Sequence, residues 1–272
     1  MIVILPNGGR MYRPCPRPTR EQPKRGVCRG WTRDVSRGNT DFLHSVDSAF
    51  LSGSGFALSL TVRDCPETPQ AWQDARIRFV HRLRRLGLVR LHWLTEWQRR
   101  GVPHLHAAAW FADPLPIDSL LGHWLASARS YGPGLQSQHI VPLRGSAGWF
   151  EYLGKHGARS VFNYQRCSEN IPDAWSGVTG RMWGHCGEFP LKEPKHVDAP
   201  ESVELQYRRL MVRFQIGKAK RQGDVRRVRY LRRYLSNAPK ETSRAAALPR
   251  WWIPEEYQWA LLSCAFRSHG EE

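Results

Sequence analysis

Nucleotide-binding loops, paired cysteines and long apolar runs are all missing from this sequence of 272 residues. Neither the G-x-x-x-x-G-K-[ST] loop nor the G-x-G-x-x-G turn is present, which argues against an ATP-driven motor and against a dinucleotide-dependent enzyme. The six cysteines include no C-x-x-C pair, so reduced thiols in a cytosolic compartment are expected. No segment approaches the roughly 18 consecutive apolar residues of a membrane helix, and we therefore expect no membrane partner.

Acidic residues are also scarce relative to basic ones. The chain carries 41 Lys and Arg against 24 Asp and Glu, which gives a formal net charge of +17. A chain this basic favours a polyanionic partner, and nucleic acid is the commonest one. A basic surface that is merely solvated is the alternative.

Composition and periodicity predict four regions along the chain. Residues 1–45, rich in Pro, Gly and Arg, indicate an irregular basic arm, and residues 46–160 indicate the main folded domain. Residues 161–200 are expected to form a loop-rich connector packed on that domain. Residues 201–272 indicate a basic helical region suited to DNA binding.

The hydrophobic periodicity of the main domain alternates between the strand and helix types in the order β-α-β-β-α-β. This order predicts an α+β fold of the ferredoxin-like (RRM-like) split β-α-β type, with an antiparallel sheet and its helices on one face. The other face of the sheet is expected to be free to carry a site. The predicted strands span 52–62, 88–98, 103–111 and 137–143, and the predicted helices span 69–86 and 117–131.

The stretch "GVPHLH" places two histidines two residues apart on a predicted strand. His104 and His106 therefore project from the same face, while Leu105 points the other way. A tight turn to the preceding strand would set position 98 opposite 104, which brings Glu96 beside His106. Two imidazoles and one carboxylate suit a divalent cation, Mn²⁺ or Mg²⁺. Ordinary strand histidines are the alternative interpretation.

The stretch "WFEYLGKHG" holds Tyr152 and Lys155 three residues apart on a predicted helix, so their side chains share a face. A nearby ammonium favours the phenolate form of a tyrosine, and a metal-bound phosphate would give that phenolate an electrophile. A simple surface pair is the alternative.

A strand "FALSLTV", then "PHLHAAAWF", then "YLGK", in this order on a β-α-β-β-α-β plan, resembles the HUH endonucleases. It resembles most closely the rolling-circle replication initiators of small plasmids and single-stranded DNA phages. The similarity covers roughly residues 50–160. Position 156 is His where some phage initiators have a second tyrosine, so the sequence resembles the single-tyrosine type.

The resemblance implies a role for each motif residue. His104 and His106 would bind the divalent cation, with Glu96 as the third ligand. Tyr152 would attack the scissile phosphate of single-stranded DNA and form a 5′-phosphotyrosine link, and Lys155 would position the phosphate or tune the tyrosine. The freed 3′-hydroxyl would prime synthesis by the host polymerase.

The same resemblance implies the protein's partners and place. Single-stranded DNA and an origin in duplex or hairpin form would be bound, and the host helicase and polymerase would act with it, in the cytoplasm of a prokaryotic host. Assembly of several copies on the DNA fits such a cycle. The interpretations left open are a single-tyrosine HUH transposase and a basic nucleic-acid-binding protein without chemistry.

Between residues 206 and 233 the sequence has eleven Lys or Arg and one acid, Asp224. A break at "RQGD" predicts two helices there. Arginines on such helices are suited to contacts with DNA phosphates. The candidate DNA-binding residues are Arg208, Arg209, Arg226, Arg227, Arg229, Arg232 and Arg233.

Overall fold

The computed structural model describes residues 1–11, 27–143, 149, 164–237 and 252–270. The chain forms two compact units. The central unit comprises Thr19–Phe42 and Ser48–Pro190, and the terminal unit comprises Met1–Pro18, Leu43–Asp47 and Leu191–Glu272.

The regular elements of the described residues follow one another in a simple order. In chain order they are β1 (Ile2–Leu5), β2 (Gly8–Met11), α1 (Arg33–Ser45), β3 (Ser54–Thr61), α2 (Pro69–Arg85), β4 (Leu88–Trp97), β5 (Pro103–Phe111), α3 (Ile117–Ser127), β6 (His139–Pro142), β7 (Trp183–Cys186), β8 (Lys195–Val197), α4 (Glu201–Arg221), α5 (Val225–Ser236) and α6 (Glu255–Gly270).

The central unit is built on a five-stranded antiparallel sheet in the order β6-β3-β5-β4-β7. Elements β3 to β6, with α2 and α3 between them, follow the predicted β-α-β-β-α-β order. The first and third of these strands are neighbours at the centre, as the split β-α-β plan requires. The predicted α+β class with an antiparallel sheet is confirmed.

Helix α2 shows how the local sequence sets an element's bounds. The Thr68 hydroxyl accepts a hydrogen bond from the amide of Ala71, and Pro69, which has no amide hydrogen to leave unsatisfied, occupies the first turn. Gly87, just past the end, has a φ of +81°, a conformation that glycine adopts without strain. The apolar stripe of the helix is buried and consists of Trp72, Ala75, Phe79 and Leu83.

Both faces of the central sheet are covered, which differs from the open face expected from the sequence. On one face, Thr95 of β4 accepts a hydrogen bond from the indole of Trp72 on α2. On the other face, His92 of the same strand contacts Asn39 and Phe42 of α1. The open-face prediction was wrong because the segment before residue 45 contributes a helix that packs here.

The terminal unit is a three-stranded antiparallel sheet, β2-β1-β8, with α4, α5 and α6. Strand β1 is completely apolar and buried, with Ile2 and Val3 at 0% exposure. Where an irregular arm was predicted over 1–45, the described ranges 1–11 and 27–45 form two strands and a helix. Strand β1 forms a local hairpin with β2, in which Leu5 pairs with Gly8. Its other partner, β8, follows nearly 200 residues later (Ile2 pairs with Val197), and no local pattern indicates that second pairing.

The prediction of a helical region after residue 200 is confirmed, with the expected break between α4 and α5. The apolar side chains of these helices pack against β1 and form one hydrophobic core with it. This core includes Ile2, Ile4, Val203, Tyr207, Met211, Val212, Leu231 and Leu262. None of the helices in the described ranges is both long enough and apolar enough to cross a bilayer.

Candidate active site

The β4–β5 hairpin brings the two predicted histidines together on one face of the central sheet. The ring centroids of His104 and His106 lie 4.4 Å apart. Leu105 between them points to the opposite face and is 1% exposed. The shared face of the two imidazoles follows from strand alternation and is confirmed.

Glu96 lies on the same face, but in a different register from the predicted one. It is paired with His104, and Leu94 is paired with His106. The carboxylate nevertheless reaches diagonally, and its Oε2 lies 3.6 Å from Nε2 of His106. The register differs by two residues because the turn is tighter than expected: the amide of Gln98 donates to the carbonyl of Val102, so position 98 lies opposite 102 and not opposite 104.

Neighbouring strands fix the orientation of His106. Ser59 of β3 lies directly opposite it, and the Ser59 hydroxyl is 3.1 Å from Nδ1 of the imidazole. The ring is thereby held at Nδ1, and Nε2 faces the Glu96 carboxylate. A second partner of this kind is typical of histidines that hold a metal ion, because it sets both tautomer and ring orientation.

The other oxygen of Glu96 is held by an arginine that the sequence did not indicate. Nε of Arg166 donates to Oε1 of Glu96 at 2.8 Å, and both side chains are 0% exposed. The Arg166 guanidinium also stacks on Trp31 at 4.0 Å from the ring centroid. Arg166 comes from a loop-rich stretch 70 residues after Glu96, and no sequence signal joins the two.

His104 is held from the loop side of the hairpin. Nε2 of Gln98 lies 2.9 Å from Nδ1 of His104, while Oε1 of Gln98 accepts from Nε of Arg100 at 2.8 Å. With the amide in this orientation, Gln98 donates to Nδ1, and Nε2 of the neutral imidazole carries the proton. For Nε2 of His104 to coordinate a cation, the proton must therefore move to Nδ1, and the side-chain amide of Gln98 must flip so that its oxygen accepts from Nδ1.

A cavity of about 490 Å³ adjoins Gln98, the hydrogen-bond partner of His104. Gln98 and Arg100 form part of its wall, together with Thr61 and Arg63. The side chain of His104 is half-buried, whereas His106 is 4% and Glu96 0% exposed. Access from solvent is thus better at His104 than at the other two side chains.

The donor types of this group fit a divalent cation, since buried imidazole nitrogen and carboxylate oxygen face each other. In the described ranges, however, no cluster of three or more His, Cys, Asp and Glu side chains comes together closely enough to hold a metal ion as it stands. The cation, and the ligand roles of His104, His106 and Glu96, stay predictions.

The predicted nucleophile Tyr152 and its neighbour Lys155 lie outside the described residues. The spare tyrosine, Tyr164, is described and is 47% exposed. Trp149, from the same predicted motif region, is fully buried, and its ring centroid is 6.3 Å from that of His92.

An aromatic cluster continues the same sheet face away from the paired histidines. The ring of Phe42 stacks on His185 at 4.2 Å and on His92 at 5.6 Å. Nε2 of His92 is 2.8 Å from the amide oxygen of Asn39. Complete burial, followed by repulsion from His185, lowers the pKa of His92 to about 3, so this imidazole is neutral at pH 7 and belongs to the core.

The seven candidate DNA-binding arginines differ in exposure. Arg208 is 3% exposed, because it lies on the face of α4 that packs inside the terminal unit, and it is corrected from a surface contact to a buried residue. Arg227 is half-buried. The exposed members are Arg209, Arg226, Arg229, Arg232 and Arg233.

Known proteins share much of this sequence over most of its length. The chain is 40% identical over 265 residues to a replication-associated protein of Pseudomonas phage Pf3, which covers 95% of this chain and 94% of that protein. It is 45% identical over 245 residues to a Xylella fastidiosa strain 9a5c protein named "Putative replication protein", which covers 87% of this chain and 86% of the relative. A protein of the same description from strain Temecula1 is 45% identical over 234 residues, covering 84% and 89%. No family model matches the sequence, and no solved structure does.

Proposed function

The chain belongs to a family of replication proteins that includes the replication-associated protein of phage Pf3, and we propose that it initiates rolling-circle replication by nicking and rejoining single-stranded DNA at an origin. The observation that carries the proposal is the convergence on one sheet face of His104, His106 and Glu96, the last two 3.6 Å apart. The order of these residues before a Tyr-x-x-Lys motif supports the assignment to the HUH endonucleases.

In the proposed reaction, the phenolate oxygen of Tyr152 attacks the phosphorus of the scissile phosphodiester. The bond from phosphorus to O3′ breaks, and the leaving oxygen takes a proton to become a free 3′-hydroxyl. The 5′ phosphate remains on the enzyme as a tyrosine ester. Attack by a 3′-hydroxyl on this ester reverses the step, restores the tyrosine and joins the strand.

Several described side chains would prepare the site for this chemistry. Arg166 fixes the Glu96 carboxylate, and Ser59 fixes the His106 ring, so the donor atoms of these two residues are already held in place. A divalent cation held by these residues would offset charge on the non-bridging oxygens of the scissile phosphate. Lys155 would add positive charge near the phenol and lower the cost of its ionisation.

The cavity that adjoins Gln98 would give the scissile phosphate a route to the site. Arg63 and Arg100 border it, and both side chains are exposed. Positive charge at the entrance attracts a DNA strand and orients its phosphates. The exposed arginines of α5 would bind further phosphates of the origin.

Covalent attachment is the direct test of the proposal. Wild-type protein incubated with a labelled single-stranded origin oligonucleotide and Mn²⁺ is expected to form a denaturation-resistant adduct, with the DNA located by mass spectrometry on Tyr152. Tyr152→Phe should lose the adduct and keep DNA binding, because only the nucleophilic oxygen is removed. Tyr164→Phe is the matched control and should retain the adduct.

Metal dependence is checked in the same assay. His106→Ala should form no adduct at any Mn²⁺ concentration, and chelation of the metal should abolish the wild-type adduct. An adduct on Tyr164, or an unchanged yield in Tyr152→Phe, would contradict the assignment. Absence of any adduct with origin DNA would favour a binding protein without chemistry.

A further inference from the structure

A second basic site lies in the central unit, at the sheet edge formed by β7. It is a cavity of about 340 Å³ between α2, β4 and β7. Three arginines line it, Arg76 and Arg84 from α2 and Arg181 just before β7. The described lining residues include no aspartate or glutamate; the others are Gln73, Ile77, Val80, His81, Trp93, His185 and Cys186.

Arg76 is the unusual member of this group. It is 9% exposed, and its guanidinium stacks on Trp93 with Cζ 3.5 Å from the ring centroid. Burial, followed by the positive charge of Arg181, lowers the pKa of Arg76 to about 10, so the group is still charged at pH 7. Among the described residues no carboxylate forms an ion pair with it.

A buried cation without a counter-ion is costly, and a chain rarely keeps one unless something offsets the charge. Stacking on Trp93 offsets part of it and also holds the planar guanidinium in place. The edge nitrogens of a fixed guanidinium match the oxygen spacing of a phosphate. Arg84 and Arg181 are exposed and can close around the same anion.

The cavity is distinct from the paired histidines. Trp93 points to the sheet face that carries α2, whereas Leu94 and Glu96 point to the opposite face, which they share with His106. A phosphate in the cavity would therefore lie on the other side of the sheet from the proposed cleavage chemistry. Since β7 is an edge strand, a DNA strand can pass this point without crossing the sheet.

We propose that Arg76, Arg84 and Arg181 form a phosphate-binding pocket that holds a backbone phosphate of the DNA away from the scissile position. The inference rests on the proposed function in taking DNA as the ligand. The pocket anchors the strand at the β7 edge and adds affinity without taking part in bond cleavage.

The salt dependence of binding tests this pocket. Binding of a fluorescent single-stranded oligonucleotide is measured by anisotropy over a series of NaCl concentrations, in a Tyr152→Phe background that prevents attachment. Arg84→Gln combined with Arg181→Gln should weaken binding about tenfold, as expected for loss of charged hydrogen bonds. The slope of log Kd against log salt should fall by about 0.7 for each phosphate lost.

The matched control carries the same charge change at exposed arginines outside the lining, Arg29→Gln combined with Arg85→Gln. Its slope should stay at the wild-type value. Equal slopes for the pocket pair and the control pair would overturn the proposal.

A small probe separates DNA from other phosphate sources. Inorganic phosphate should raise the melting temperature of the wild type above that in NaCl of equal ionic strength, and Arg76→Met should remove the increase while keeping a side chain against Trp93. Stabilisation by phosphate with an unchanged DNA salt slope would instead assign the pocket to a small phosphorylated molecule, against the proposal. Neither readout needs strand cleavage, so a failure of nicking alone would leave this result standing.

Discussion

Glu96 is a completely buried carboxylate whose Oε1 accepts a hydrogen bond from Arg166 at 2.8 Å. Removing one member of such a pair leaves an uncompensated charge in a dry interior, whereas removing both is far less costly. The ion pair thus links the stability of the central unit to the geometry of the proposed site. No sequence pattern joins residues so far apart, which is why Arg166 was not predicted.

Arg166→Met should lower the free energy of unfolding by about 3–5 kcal/mol, the range for a broken buried pair. The double variant Arg166→Met with Glu96→Gln should recover much of that loss, because the buried carboxylate is gone. Urea denaturation of the single and double variants measures both values. Arg63→Met, which removes only the exposed pair with Asp64, is the control and should change stability far less.

A buried neutral histidine makes stability depend on pH. The pKa of His92 falls from 6.5 to about 3 on burial, so the unfolded chain takes up its proton more readily than the folded one. The resulting stabilisation is fully present above about pH 6.5 and is lost progressively as the pH falls towards about 3. His92→Gln keeps a side-chain amide near Asn39 and removes the titrating group.

The midpoints of urea denaturation are measured from about pH 8 to about pH 3, which covers the unfolded and folded pKa values of His92. As the pH falls, they should decrease more steeply in the wild type than in His92→Gln. The difference between the two curves should be confined to the window between the unfolded and folded pKa values. Parallel curves would show that His92 does not contribute to the acid sensitivity.

At the scale of elements, local sequence predicts strands and helices well wherever they carry a regular apolar period. The strand of residues 103–111 and the start of α2 at Pro69 match within a residue. Helix α1 was missed because Gly38 interrupts it and its apolar positions are few. The structure supplies the reason for that glycine, since a Cβ there would lie 3.3 Å from the ring of Trp183.

The β4–β5 hairpin shows which feature local sequence does not predict, namely the register of the two strands. Strand alternation places His104 and His106 on one face, yet the pairing of Glu96 depends on how many residues the loop uses. The loop length is set by Gly101, with its φ of +72°, and by the hydrogen bond from the amide of Gln98 to the carbonyl of Val102. The basic sequence "RRG" does not by itself predict that loop length. The face was therefore predictable and the register was not.

Helix α5 offers a test of DNA binding that leaves the fold intact. Its start is capped by Asp224, whose carboxylate accepts from the amide of Arg227 at 2.9 Å, and only Leu231 on it is buried. Replacing Arg226, Arg229 and Arg233 with glutamine should reduce origin affinity and lower the salt slope by up to about 0.9 per duplex phosphate.

Circular dichroism should show unchanged helix content in this variant, and anisotropy at several salt concentrations gives the slope. The same three-charge change at Arg29, Arg33 and Arg85, which are exposed in the central unit, is the control for net charge. If both variants lose affinity equally, α5 has no special part in binding.

At the scale of the whole molecule, the chain divides into two compact units. The terminal core joins Ile4, Val203 and Leu262, whereas the central core is built around the five-stranded sheet. The sequence predicted the central fold because its strands and helices carry regular apolar periods in a recognisable order. It could not predict how the terminal sheet is completed, because β8 pairs with a strand nearly 200 residues earlier in the chain.

Ile4→Asp should destabilise the terminal unit, because Ile4 is 1% exposed and an unpaired carboxylate in an apolar core is strongly unfavourable. Limited proteolysis should then cut first within α4 and α5, ahead of the segment from β3 to β6. Phe50→Asp, at a residue that is 71% exposed, is the control and should leave the digestion pattern unchanged. Cleavage that begins in the central sheet would contradict the division into two cores.

The pairing of β1 with β8 also bears on how the protein is made. The ribosome releases the apolar segment Ile2–Leu5 early, but its neighbour Lys195–Val197 emerges only after the five-stranded sheet has been synthesised. At about 5–20 residues per second, the delay is on the order of tens of seconds. During translation β1 can pair with β2, but its other edge stays open until β8 is made, and a product that ends before residue 195 could not complete the terminal sheet.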